Sequence, residues 1–206
     1  TLRVVSEGGL ETIDPASDAV GGLTASVVAA SYDGLVSVRR ASGPAGMTVV
    51  PDLAVALPTP TDDGRSYTFQ LRDAIRFSDG DMLTPDDVVA SFERILTSPT
   101  TGFAASLLPE LVGASDCAPE DPTACDLSRG IVVDEAARTV TFNLTRRAPD
   151  FLEILSTLNF AILPAGTPHD LDGEPPPGTG PYAIGEVGVD GSAVLERNPE
   201  FREWSA

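Results

Sequence analysis

The sequence predicts a mixed α/β fold of the α+β kind, built from short strands and isolated helices. Three observations lead there. Residues 84–96 carry a helix start and an apolar face, with a proline stop close behind them. Residues 66–71 and 139–144 alternate apolar and polar side chains, the period of a half-buried strand. The elements do not follow the strand–helix–strand rhythm of a regular parallel winding.

Taken in order, residues 2–5 read as a first strand, and residues 12–15 as an extended stretch ending in a turn at Asp14 and Pro15. Leu23, Val27 and Ala30 share one helical face, and Tyr32, Asp33 and Gly34 are expected to end that helix, with Gly34 as its C-cap glycine. Residues 35–38 read as a strand, 40–48 as a Gly/Ser/Pro loop, and 51–57 as one or two helical turns. Asp63-Gly64 is a hairpin signal and Asp79-Gly80 a further turn. Between them Tyr67, Phe69 and Leu71 alternate with Ser66, Thr68 and Gln70, and Ile75 and Phe77 continue the apolar face.

The clearest element opens at Thr84. Threonine caps well, Pro85 suits the first helical position, and Asp86 and Asp87 complement the positive end of the dipole. Val88, Phe92, Ile95 and Leu96 then recur at helical spacing until Pro99 prevents continuation. A shorter helix is expected over 104–111, a hairpin from 131–133 and 139–144, a short helix over 149–155 and a buried strand over 159–163. A Pro/Gly/acidic connection spans 164–180, and two strands, 181–187 and 193–197, flank Asp190-Gly191. Residues 140–144 echo 67–71, which reads as recurring strand chemistry.

Charge narrows the partners. The chain has 31 acidic and 13 basic residues, a formal net of -18, and every basic residue is arginine. Such a surface repels phosphate backbones, so no nucleic-acid partner is expected. The acidity reads as a solubility or milieu trait ahead of cation binding. No apolar run approaches the roughly 20 residues of a membrane helix.

Cys117 and Cys125 flank a loop of turn formers and acids. A metal site needs more ligands than these two and His169, and a redox pair favours a closer spacing, so a disulfide is expected. That points outside the cytoplasm.

Catalytic signatures are sparse. Gly178, Thr179 and Gly180 do not make a dinucleotide loop, because Pro181 removes an N–H that a phosphate needs. Residues 78–81 lack the spacing of a calcium loop. Neither a Walker A nor a GxSxG pattern occurs. His169 is expected to be solvated and inert, and Asn143, in a glycosylation sequon with Thr145, to face solvent from its strand. No catalytic, cofactor or metal residue is assigned. The chain starts without methionine and stops without a closing element, which reads as a piece of a longer exported polypeptide whose leader has been removed.

Several stretches together resemble the family 5 bacterial solute-binding proteins, whose members include dipeptide-, oligopeptide- and nickel-binding proteins. They are residues 10–15 (LETIDP), 32–36 (YDGLV), 63–72 (DGRSYTFQLR), 75–80 (IRFSDG), 83–94 (LTPDDVVASFER), 178–182 (GTGPY) and 194–201 (VLERNPEF). The resemblance implies a periplasmic-binding-protein-like class II fold, with two lobes closing over a ligand. Residues 1–38 would begin lobe I, 39–165 form a subdomain inserted in it, and 166–206 return to its sheet, the second lobe lying elsewhere.

By the same resemblance, Asp18, Ala19, Val20 and Gly21, up to Gly22, line the ligand, and so does Phe103 in the loop 101–103. The acidic residue that holds a peptide's amino terminus would lie outside this chain. The 117–125 loop looks like an insertion without a ligand role, and the 178–182 turn and the 84–96 helix look structural. The implied function is extracytoplasmic capture of a small solute, a peptide foremost, for the permease of an ABC importer, by a secreted or lipid-anchored receptor. The alternatives are the sensing module of a regulator and a glycoside or other hydrolase, for which no carboxylate pair is selected by spacing.

Overall fold

The computed structural model describes residues 9–203, so the strand expected over 2–5 lies outside the described residues. Helix α1 spans Gly22–Ser31 and leads into β1, Val36–Val38, which pairs antiparallel with β2, Val49–Pro51. Further on, Asp87 accepts the Thr84 N–H at 2.7 Å and the Thr84 hydroxyl at 2.9 Å, and so opens α2, Pro85–Thr97. Ser98, held extended by the following Pro99, ends it.

Helix α2 packs on an antiparallel sheet of β3 (Ser66–Gln70), β4 (Ile131–Asp134) and β5 (Thr139–Asn143), in the order β3-β5-β4. Tyr67 lies opposite Phe142, and Phe69 opposite Val140. The two echoing stretches are therefore neighbouring strands that present the same alternation to one core. Phe142 sits at its centre, with the rings of Phe92, Phe69 and Phe151 at 4.9, 5.6 and 5.6 Å. Short helices α3 (Gly102–Ser106) and α4 (Phe151–Leu155) follow α2 and the sheet respectively. Strands β6 (Tyr182–Val187) and β7 (Ala193–Arg197) form a last hairpin, and α1 packs on β6. A small cluster of Val28, Tyr32, Ala161 and Leu163 lies beneath α1.

Five expectations change. Residues 51–57 are not helical: Leu53 donates to the Gly34 carbonyl, Ala54 to Leu35 and Val55 to Gln70, so this stretch runs extended between neighbours. Helix α1 ends at an extended Tyr32, and Gly34 has no positive φ. A Cβ at Gly34 would lie 3.1 Å from the Phe160 carbonyl, so this glycine serves close approach of two backbones. Helix α3 covers only Gly102–Ser106.

Residues 160–163 are buried, but 159–163 form no strand: Leu158–Phe160 is a 3-10 turn, and Ala161 makes an isolated bridge to Gly34. The Leu163 N–H donates to the Ser91 hydroxyl and the Ala165 N–H to Asp87, so side chains of α2 replace a neighbouring strand. The Asn143 side chain is also more engaged than expected, accepting from Ser66 and donating to the Arg129 carbonyl.

Cys117 and Cys125 form a disulfide. The 178–180 turn lies directly on the end of α1, where a Cβ at Gly178 would come within 2.0 Å of the Ser31 carbonyl oxygen. Replacing Phe142 with alanine leaves a void among three rings and is expected to cost about 3–5 kcal/mol, read as a lower denaturant midpoint.

Candidate ligand-facing wall

The turn at 14–20 is held from inside the fold. Arg94 reaches it from α2, its Nη1 and Nη2 donating to Asp14 Oδ1 and Oδ2 at 3.0 and 2.7 Å. Both side chains are buried, and the guanidinium also donates through Nε to the Pro168 carbonyl. Asp14 Oδ1 accepts the Ala16 N–H at 2.9 Å, and Asn159 donates to the Ser17 carbonyl at 3.1 Å. A buried pair with its remaining oxygens and N–H groups satisfied makes a rigid base.

Asp18, Ala19 and Gly21 are exposed on that base, while Val20 is half-buried and packs on the cluster beneath α1. The 101–103 loop arrives beside them. The buried Thr101 hydroxyl donates to the Ile95 and Ser98 carbonyls and turns the chain sharply out of α2. Phe103 is 56% exposed, a large apolar ring facing outward. Its N–H donates to Asp18 Oδ1 at 2.8 Å, and the Asp18 N–H donates to the Thr100 carbonyl at 2.9 Å. The structure thus brings Asp18 and Phe103, 85 positions apart, into direct contact.

Sequence reasoning missed Asp14, Arg94, Thr101 and Asn159 as the supports of this wall. No local signal marked Arg94: with Glu93 it sits between Phe92 and Ile95 as a residue of the polar face would, and its burial is a tertiary fact. His169 is exposed, its ring Nε2 3.5 Å from the Thr97 hydroxyl; burial of the ring and then nearby Arg94 lower its pKa. Among the described residues, no group of three or more His, Cys, Asp and Glu side chains converges as metal ligands.

A separate open cavity of about 420 Å³ lies between the β1–β2 pair and the chain end, lined by Asp33, Val38, Arg40, Val50, Asp52 and Phe201 among others. Asp33 is buried and accepts the Thr179 hydroxyl at 3.0 Å. Burial, and then the nearby Asp52 carboxylate, raise its pKa to about 7, against the opposing effects of Thr179 and Arg40.

Solved structures share this fold. The clavulanic acid biosynthesis oligopeptide binding protein 2 is 30% identical with a TM-score of 0.79, over 98% of this chain and 36% of that one. The periplasmic murein tripeptide binding protein MppA, in its unliganded open form, is 25% identical with a TM-score of 0.77, over 95% and 37%. The fold is periplasmic-binding-protein-like.

Residues 48–206 match the model of the bacterial extracellular solute-binding proteins, family 5 Middle, and the chain belongs to that family. Among curated relatives, the dipeptide-binding protein of Escherichia coli K12 is 31% identical over 92% of this chain and 36% of its own length. The probable peptide-binding protein YejA of Agrobacterium fabrum is 26% identical over 98% and 30%. The chain therefore spans roughly a third of these relatives.

Two outcomes follow from this geometry. Arg94→Met strands the Asp14 carboxylate in the interior and should destabilise by about 3–5 kcal/mol, visible as a shifted urea midpoint. Asp33 has a folded pKa above its ordinary 3.8, so its protonated form favours the folded state. That contribution is complete below pH 4 and is lost as the pH rises through about 7. Asp33→Asn should flatten this fall, melting higher than the parent at pH 8 and converging with it at pH 4.

Proposed function

We propose that this chain forms one wall of a two-lobed extracytoplasmic receptor that captures short peptides and delivers them to the permease of an ABC importer. The observation that carries the reading is the meeting of residues 18–21 with Phe103 on a rigid base, in a chain of the solute-binding family. Peptide-binding proteins recur among its relatives and structural neighbours, which supports a peptide over other solutes.

In this reading residues 1–38 begin lobe I, residues 39–165 form its inserted subdomain, and residues 166–206 return to its sheet. The division describes position in the two-lobed whole, since Ala16, Leu35 and Val36 share one core with Phe69, Phe92 and Phe142. The N–H groups of Asp18, Ala19 and Val20 are held within the fold, so the carbonyls of this turn meet an extended peptide backbone, directly or through water, and the Phe103 ring covers its apolar side chains. Closure of the second lobe by a hinge motion then completes the enclosure.

Calorimetric titration of the full-length gene product with di- to hexapeptides tests this. Micromolar or tighter binding is expected for the whole protein. Residues 1–206 alone should bind far more weakly, because half the enclosing surface is gone while the ordering cost of the ligand remains. Absence of peptide binding by the whole protein would overturn the reading.

A further inference from the structure

Two segments make up the wall, and they are anchored unevenly. The 14–17 stretch is fixed by Arg94 and Asn159, and the start of the 98–103 loop by the buried Thr101 hydroxyl. These hydrogen bonds end at Ser17 in the first segment and at Thr101 in the second. Beyond them Val20 packs on the cluster beneath α1 and Ala104 is buried in the core, which leaves Asp18 and Phe103 as the exposed points between anchors. Among the described residues, the hydrogen bonds that join 18–22 to 100–106 are the two made by Asp18.

We infer that Asp18 is a positioning residue: its carboxylate holds the Phe103 loop at a set distance from the 18–21 turn, and thereby shapes the wall that a peptide meets. This inference rests on the receptor reading above. The chemistry favours aspartate in this role. Oδ1 is committed to the Phe103 N–H at 2.8 Å, and a carboxylate accepting from a backbone N–H makes a strong, short bond. The residue's own backbone N–H donates to the Thr100 carbonyl, so one residue grips both ends of the 100–103 bend, Thr100 by its main chain and Phe103 by its carboxylate. Glutamate, one methylene longer, would push the loop outward.

Both Asp18 and Phe103 are exposed, so the clamp lies outside the core and its loss should leave the fold intact. What changes is the freedom of the two segments. Without the bond they must be ordered when ligand binds, and that cost appears in affinity instead of in stability.

The experiment compares Asp18→Ala, Asp18→Asn and Asp18→Glu in the full-length protein. It uses peptides with free and with acetylated amino termini, and follows amide exchange at Phe103 in the unliganded state. Asp18→Ala should weaken every peptide about tenfold, the worth of one charge-assisted hydrogen bond. It should leave the melting temperature within about 2 °C of the parent and speed exchange at Phe103. Asp18→Asn keeps an acceptor oxygen in place and should recover most of the affinity and the protection; Asp18→Glu should recover neither.

Unchanged affinity in Asp18→Ala overturns the inference. So does a loss shared equally by Asp18→Asn and confined to peptides with a free amino terminus, which would make Asp18 a direct charge contact. If the parent protein binds no peptide while Phe103 protection still depends on Asp18, the receptor reading fails and the clamp itself stands.

Discussion

Helix α2 carries two buried faces, and most of the architecture depends on the polar one. Val88, Phe92 and Ile95 point into the sheet core, as its amphipathic pattern requires. Asp87, Ser91 and Arg94, spaced at four and three residues, line up along another side of the same helix and are also buried. They meet the 163–168 segment and the turn at Asp14. Asp87 takes the Ala165 N–H, Ser91 takes the Leu163 N–H, and Arg94 gives to Pro168 and to both oxygens of Asp14. Each buried polar group finds a partner, so the row gains directional specificity without a large desolvation loss.

That row explains two features that would otherwise look unrelated. The 160–165 stretch stays irregular although 160–163 are apolar and buried, because the Leu163 and Ala165 N–H groups are taken by side chains of α2 and not by a strand. The 14–17 turn is held because Arg94, in the last turn of α2, grips the Asp14 carboxylate. The candidate wall thus inherits its precision from the helix. Asp18 and Phe103 add an exposed join on top of a buried base, an arrangement suited to a surface that must keep its shape while remaining open to solvent.

The region around the end of α1 is organised differently. The 178–180 turn presses on the end of α1 so closely that side chains are excluded there, and Thr179 donates to the buried Asp33. The β1–β2 and β6–β7 pairs are two-stranded, an arrangement of marginal stability by itself, and each is supported by packing: α4 on β1, and α1 on β6. Among the 195 described residues, the helices and the glycine turn do the holding.

Much of this was legible locally. The threonine–proline–diacid start and the proline beyond Ser98 defined α2, the period-two pattern defined β3 and β5, and the acidic turn between Cys117 and Cys125 marked a closed loop. The two segments that meet in the candidate wall, 18–22 and 101–103, were singled out through the motifs at 10–15 and 83–94. These features depend on neighbours within a few residues, where propensity, capping and turn chemistry act. Three things were decided only by tertiary structure: that 51–57 and 159–163 take their hydrogen bonds from outside themselves, that Arg94 meets Asp14, and that Asp18 meets Phe103. Their partners lie far along the chain, Ile162 donating to the Asp33 carbonyl and Phe103 lying 85 positions from Asp18, and a backbone N–H or a carboxylate carries no sequence mark of which distant group will satisfy it.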